Sequence, residues 1–211
     1  MKITVFGTGF AGSAIAEELV ARGHSVVAAS RSGKGVRHAD VASIAGTVYD
    51  PDFVAKAADG ADVVVLALPA VGQDGGLAGA IRSVLPTLAE NGARLGVVGG
   101  SAVLPMSEGG PRLADTAEFP SALQSRVTAH QAALDELSAL PVEVDWFVVV
   151  PAADFGPHHP GSRRGTYRTS RSALVSDESG HSAIGIDDFA IAFADEIEAA
   201  TVHRAWVTVG Y

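Results

Sequence analysis

The chain contains no cysteine. That absence removes disulfides, thiolate nucleophiles, iron–sulfur ligation and cysteine-based zinc sites together. Lysine is nearly as scarce, occurring only as Lys2, Lys34 and Lys56, and the formal net charge is −9. Binding to nucleic acid depends on clustered Lys and Arg that neutralise phosphates, so no nucleic-acid partner is expected and a small-molecule substrate is. Long apolar runs are missing too, none approaching the roughly 18 residues that cross a bilayer, so no membrane partner is expected either. The first residues carry neither a basic leader nor a small-residue cleavage site and read as a strand, which predicts a cytoplasmic protein.

What is present is an ordered globular composition, 47% hydrophobic and 18% charged over 211 residues. One domain with a well-buried core is the expectation, as a monomer or homodimer. Apolar runs at residues 2–6, 26–29, 47–49, 62–68, 95–98 and 146–150 read as strands, with a last one near 206–209. Helical patterns lie between them. The first ends at Arg22 and Gly23, and a second opens at Asp50 and Pro51, where Asp can cap and Pro suits the first turn. A third covers 77–89, where Pro86 is expected to bend or shorten it, and a fourth covers 122–140. Between the fifth strand and the fourth helix, residues 101–120 are too rich in Gly and Pro for regular structure, and loops of that length tend to be functional. Strands alternating with helices imply an α/β fold, a Rossmann-type doubly wound parallel sheet, with residues 151–186 as a substrate-side insertion in the single domain.

Gly7, Thr8, Gly9, Phe10, Ala11 and Gly12 form a GxGxxG that follows a strand and opens a helix, the context in which such a motif holds a dinucleotide pyrophosphate. The first glycine allows a tight turn, the second a close approach of the phosphates, and the third close helix–strand packing, while the helix N-terminus offers free N–H groups. An acidic residue that would bind an adenosine 2′-hydroxyl is absent about 20 residues on. Ser30, Arg31 and Ser32 stand there instead, and a guanidinium with hydroxyl donors suits the 2′-phosphate of NADP(H), with NAD(H) second. Ala67, Leu68, Pro69, Gly99 and Pro151, at carboxyl ends of strands, and Asp50, as an adenine contact or a helix cap, complete the candidate cofactor residues.

Candidates for chemistry are fewer. Ser101 ends the fifth strand and could bond a substrate carbonyl or cap the turn, and it lies outside any GxSxG elbow. His130 could donate or shuttle a proton from the fourth helix. Phe155 and Tyr167 flank the expected nicotinamide end and could stack on a flat substrate. Arg163 and Arg164 could attract an anion. His158 and His159 are read as pointing apart, so no metal site is expected, and Asp187 with Asp188 reads as a helix cap.

Several blocks together, VVGG at 97–100, RLADTAEFP at 112–120, DWFVVVPAADFGP at 145–157, GTYR at 165–168 and the terminal TVGY, carry a wider resemblance. With the glycine loop they resemble the atypical short-chain dehydrogenases/reductases of the NAD(P)H-binding type, similar to NADH-flavin reductases and distantly to biliverdin reductase B. The resemblance implies a Rossmann fold with a small substrate-capping C-terminal part. Two departures stand out. The glycine loop is one residue shorter than the GxxGxxG usual in that family, and no Tyr-x-x-x-Lys pair exists, since Tyr49 is followed four later by Phe53 and Tyr167 by Arg171. Without a lysine-tuned tyrosine to donate a proton, hydride transfer to a flat conjugated acceptor such as a flavin or quinone is the expected chemistry, because such an acceptor spreads the charge and water can supply the proton. A non-catalytic NAD(P) sensor and a nucleotide-dependent isomerase or epimerase are the alternatives.

Overall fold

The computed structural model describes all 211 residues. Eight strands form one sheet in the order β3-β2-β1-β4-β5-β6-β8-β7. They are β1 (Lys2–Phe6), β2 (Ser25–Ser30), β3 (Ala42–Ala45), β4 (Val63–Leu66), β5 (Arg94–Val98), β6 (Trp146–Pro151), β7 (Arg168–Ser170) and β8 (Ala205–Gly210). All pairings are parallel except that of β7 with β8. The helices are α1 (Phe10–Ala21), α2 (Pro51–Ala57), α3 (Gly76–Asn91), α4 (Gln124–Ala139) and α5 (Ile186–Ala199). α1 and α5 cover one face of the sheet, packing around Ile15, Leu19, Phe189 and Phe193, and α2, α3 and α4 cover the other around Leu77, Ile81, Leu88 and Leu137. With both faces covered, the central strands are apolar throughout, as the runs Val63–Leu66 and Trp146–Pro151 show.

From β1 the chain winds outward through β2 and β3, then returns to place β4 on the other side of β1. That reversal opens a crevice at the carboxyl ends of β1 and β4, the position where open α/β sheets bind ligands.

Three elements differ from the sequence reading. β3 lies at Ala42–Ala45, not at 47–49. It is a mostly exposed edge strand of Ala, Ser and Ile, with no hydrophobic run to announce it, and Thr47 to Asp50 form the turn that feeds α2. Asp50 then caps α2, its Oδ1 accepting from the N–H groups of Asp52 (3.1 Å) and Phe53 (3.3 Å). α3 neither stops nor shortens at Pro86 and runs on to Asn91, because Ile81, Val84 and Leu88 on its inner face are fully buried. The lost backbone bond costs less than exposing that face would.

The third difference concerns Asp187 and Asp188. Gly185 caps α5 without a side-chain bond, and Asp188, completely buried in the first turn, instead accepts from the N–H groups of Arg164 and Gly165 and from the Tyr211 hydroxyl. One carboxylate thereby fixes the loop before β7 and the last residue of the chain to α5. Arg164 lies on the Tyr211 ring, 3.5 Å from its centroid, and Arg163 pairs with Glu18 at 2.9 Å.

Candidate functional site

Gly7, at the end of β1, adopts φ +100°, and a Cβ there would overlap the carbonyl oxygen of Ala67, just past β4. Bonds from the Gly7 N–H to Ala29 O and from the Ala67 N–H to Phe6 O, both 2.9 Å, hold these two strand ends in place. A Cβ on Gly12 would overlap the Gly7 carbonyl oxygen, which places α1 against the turn. Gly9 is different: it is exposed, and a Cβ there would meet nothing within 4 Å. Two glycines are thus needed for packing, and the one between them faces open space.

No side chain caps α1 and no acid stands in its first turn. Its first backbone bond runs from Ser13 to Gly9 O, which leaves the N–H groups of Phe10, Ala11 and Gly12 directed at the crevice without protein partners. A buried or half-buried helix start without a cap calls for a ligand, and an anion suits the positive end of the helix. The cradle therefore fits a dinucleotide pyrophosphate, shorter glycine loop included.

The turn after β2 closes onto this loop. Lys34 O accepts from both the Thr8 and the Ser30 hydroxyls, and a Cβ on Gly35 would collide with Thr8. The Ser30 hydroxyl thus has a partner within the chain. Arg31 and Ser32 are exposed and have no hydrogen-bond or ion-pair partner in the chain. Arg31 lies near enough to Tyr49 for its charge to act on the phenol.

Ala67 and Leu68 border the glycine turn from the end of β4, and Gly99, Ser101 and Pro151 stand farther along the crevice, past the ends of β5 and β6. Gly99 passes so close to β6 that a Cβ would press on Val148 and Val150, and Pro151 is buried at the end of β6 opposite Val209. Ser101 caps nothing; its hydroxyl is half-buried and unpartnered. Phe155 packs between Phe10 and Phe189, with ring centroids at 5.4 and 4.7 Å, and so borders the glycine loop.

Tyr167 does not join this end. Its ring packs with the core on the α1 and α5 side and its hydroxyl donates to Asp195, which also receives Arg22 at 2.6 Å from the C-terminal end of α1. The expectation of a substrate-stacking tyrosine is thereby corrected. His130 also departs from its expected role. It meets Gly100 from the core side, among Leu77, Val97 and Leu134, and has no hydrogen-bond partner. Burial first, then the charge of Arg126, hold its pKa below the usual value, which favours the neutral ring packed against Gly100. As the pH falls below about 6.5, the unfolded chain charges this imidazole before the folded one does, and stability is lost. The fall in urea midpoint between about pH 7.5 and about pH 5.5 should therefore be smaller in His130→Leu than in the parent, and an unchanged fall would place the imidazole in water.

The sequence reading missed one cluster altogether. His158 and His159 do not point apart; both turn to Asp154, with Nε2 3.2 Å from Oδ1 and Nδ1 3.4 Å from Oδ2, and His181 joins them with Nε2 3.6 Å from Oδ2. They surround a carboxylate, and no group of three such side chains is arranged to hold a metal ion.

A doubly wound sheet with an open glycine cradle at its switch point defines a Rossmann-type nicotinamide-dinucleotide protein. Comparison with known proteins agrees: residues 7–154 match the model of the NAD(P)H-binding family, and the chain belongs to that family. Three solved structures are similar along its whole length. A protein of Burkholderia pseudomallei thought to be exported is 36% identical, with a TM-score of 0.87 and 100% of both chains covered. A proposed NADH-flavin reductase of Streptococcus pneumoniae is 31% identical, with a TM-score of 0.86 over 100% of this chain and 99% of that one. A proposed epimerase of Bacteroides thetaiotaomicron is 30% identical, with a TM-score of 0.85 over 100% and 96%. No helix of the chain is long and apolar enough to cross a membrane.

Proposed function

We propose that the protein is an NADPH-preferring oxidoreductase that delivers hydride to a flat conjugated acceptor of the flavin or quinone kind. The observation that carries this reading is the fate of the tyrosines. Tyr49 donates to Gly76 O at 3.0 Å, Tyr167 to Asp195 and Tyr211 to Asp188, so each of the three hydroxyls is already engaged. Burial, and then a nearby carboxylate, Asp74, Asp195 or Asp188 respectively, push all three phenols above their usual pKa. None can act as the strong, tuned acid that reduction of an isolated carbonyl requires.

A bound reduced nicotinamide supplies the hydride. The chain's part is to hold and orient: the Gly7 to Gly12 turn with the α1 N-terminus takes the pyrophosphate, Arg31 and Ser32 take the 2′-phosphate, and the free Ser101 hydroxyl can fix a carbonyl oxygen at the end of β5. Positioning of this kind accounts for much of the rate when the acceptor itself spreads the developing charge. The Streptococcus relative supports this reading. An epimerase, as the Bacteroides relative is proposed to be, needs an acid/base pair about the reacting carbon, and the tyrosines do not offer one.

Purified protein should oxidise NADPH faster than NADH when given FMN, FAD or a simple quinone, followed by the loss of dinucleotide absorbance. Binding of dinucleotide without turnover of any acceptor would overturn the enzyme reading and leave a cofactor sensor.

A further inference from the structure

Beside the carboxyl ends of β5 and β6, the loop after β5 and the segment after β6 line an open pocket of about 360 Å³. The two are tied together where the Leu174 N–H bonds Pro105 O at 2.9 Å, and the Leu113 N–H bonds Leu104 O at 3.0 Å within the loop after β5. One wall is apolar, made by Met106, Leu113 and Leu174. The other carries Asp154 and His181. The volume lies within the range of small-molecule sites, and an apolar wall facing a few placed polar groups is the usual character of such sites.

Asp154 is held by its own backbone, its N–H bonding Ser182 O at 2.8 Å, which also sets it next to the strand segment that carries His181. The His181 Nε2 stands 3.6 Å from the Asp154 carboxylate, within ion-pair reach, while Nδ1 has no protein partner. His158 and His159 reach the same carboxylate from the loop that follows and extend the cluster to the exposed rim. The carboxylate of Asp177 faces this group from the other side, accepting from the His181 N–H at 3.0 Å, and so holds the backbone of the donor. An imidazole that lines the cavity beside a carboxylate and has a nitrogen without a protein partner is able to exchange a proton with whatever fills the cavity.

We propose that this cavity seats the acceptor, a planar conjugated ring bearing carbonyl oxygens, that His181 is the catalytic proton donor to it, and that Asp154 is the positioning residue. This rests on the reductase reading above. Reduction of the acceptor by two electrons takes one hydride from the reduced dinucleotide and one proton. The hydride adds to the ring and leaves an anion delocalised onto its oxygen or nitrogen. The His181 ring gives up a proton to that atom and takes one back from the water at its exposed edge. The Met106, Leu113 and Leu174 wall packs on the ring face and keeps water from it.

The test uses the full chain with menadione and with FMN as separate acceptors. His181→Gln should lower kcat about tenfold at neutral pH with little change in the acceptor's KM, and should flatten the pH dependence of kcat/KM. Asp154→Asn should lower kcat less and keep a pH-dependent kcat/KM. Met106→Trp, which fills the cavity from its exposed rim, should weaken binding of the oxidised acceptor about tenfold by equilibrium dialysis without dinucleotide, and leave NADPH binding unchanged. A parental rate and pH profile in His181→Gln would overturn the proton-donor role. Undiminished acceptor binding in Met106→Trp would overturn the cavity's role. If the parent binds NADPH yet turns over neither acceptor, the reductase reading fails, and dialysis still decides whether the cavity holds the ring. Turnover with only one acceptor identifies which of the two ring systems fits.

Discussion

Gly12→Ala is expected to abolish measurable binding of both NADPH and NADH and to lower the urea midpoint, whereas Gly9→Ala should lose most of the dinucleotide affinity at nearly parental stability. The difference follows from what surrounds each residue. A methyl group on Gly12 would meet the carbonyl oxygen of Gly7, and Gly7 is itself hemmed in, since even a Cβ on it would overlap the Ala67 carbonyl oxygen. Backbone presses on backbone, so no side chain can swing aside. Forced overpacking costs about 1–3 kcal/mol and more where relaxation is blocked, and any relief here must tilt α1 away from the cradle. Gly9 has φ −78° and ψ −160°, which alanine can adopt, and open space around it. A methyl group there strains nothing in the free protein and occupies the approach to the α1 N–H groups. Thermal unfolding together with a fluorescence titration of each variant separates the two effects. Gly9→Ala binding as tightly as the parent would mean that the phosphates do not approach this turn.

Much of this cradle was legible in the sequence because its causes are local. A glycine between a strand and a helix, with two more at the right spacing, states the turn and the packing contact within a few residues. Asp50 and Pro51 announced α2 for the same reason, as cap and first-turn residues are local signals. The features that were not legible depend on partners distant in the chain. Tyr167 occurs in a loop motif that suits a substrate mouth, and only the presence of Asp195 and Arg22 beside it turns its hydroxyl elsewhere. Asp188 resembles a cap in sequence, yet its bonds go to residues 164, 165 and 211. The histidine cluster exists because residues 154 and 183 pair across a loop of more than twenty residues, which no spacing rule contains. Edge strand β3 escaped notice because a strand exposed on most positions needs no hydrophobic pattern.

Arg31→Ala should weaken NADPH binding by about 1.5–3 kcal/mol, the usual range for hydrogen bonds to charged groups, and leave NADH binding almost unchanged. This is about ten- to a hundredfold in Kd. Arg31 follows β2 directly, beside the turn whose carbonyl at Lys34 ties it to Thr8 of the glycine loop, so its guanidinium is free while its backbone is anchored to the cradle. With no partner inside the chain, its removal costs the fold little, and a selective loss can be read as a lost ligand contact. Because the side chain is exposed, the contribution should shrink as salt is raised, and the difference between parent and variant should narrow with ionic strength. Arg31→Lys should recover only part of the loss, since an ammonium keeps the charge but cannot bond two phosphate oxygens side by side. Isothermal titration with the two dinucleotides, repeated at low and high salt, measures all of these. Equal losses for NADPH and NADH would show that Arg31 does not read the 2′-phosphate, and the missing acid at the end of β2 would then select neither cofactor.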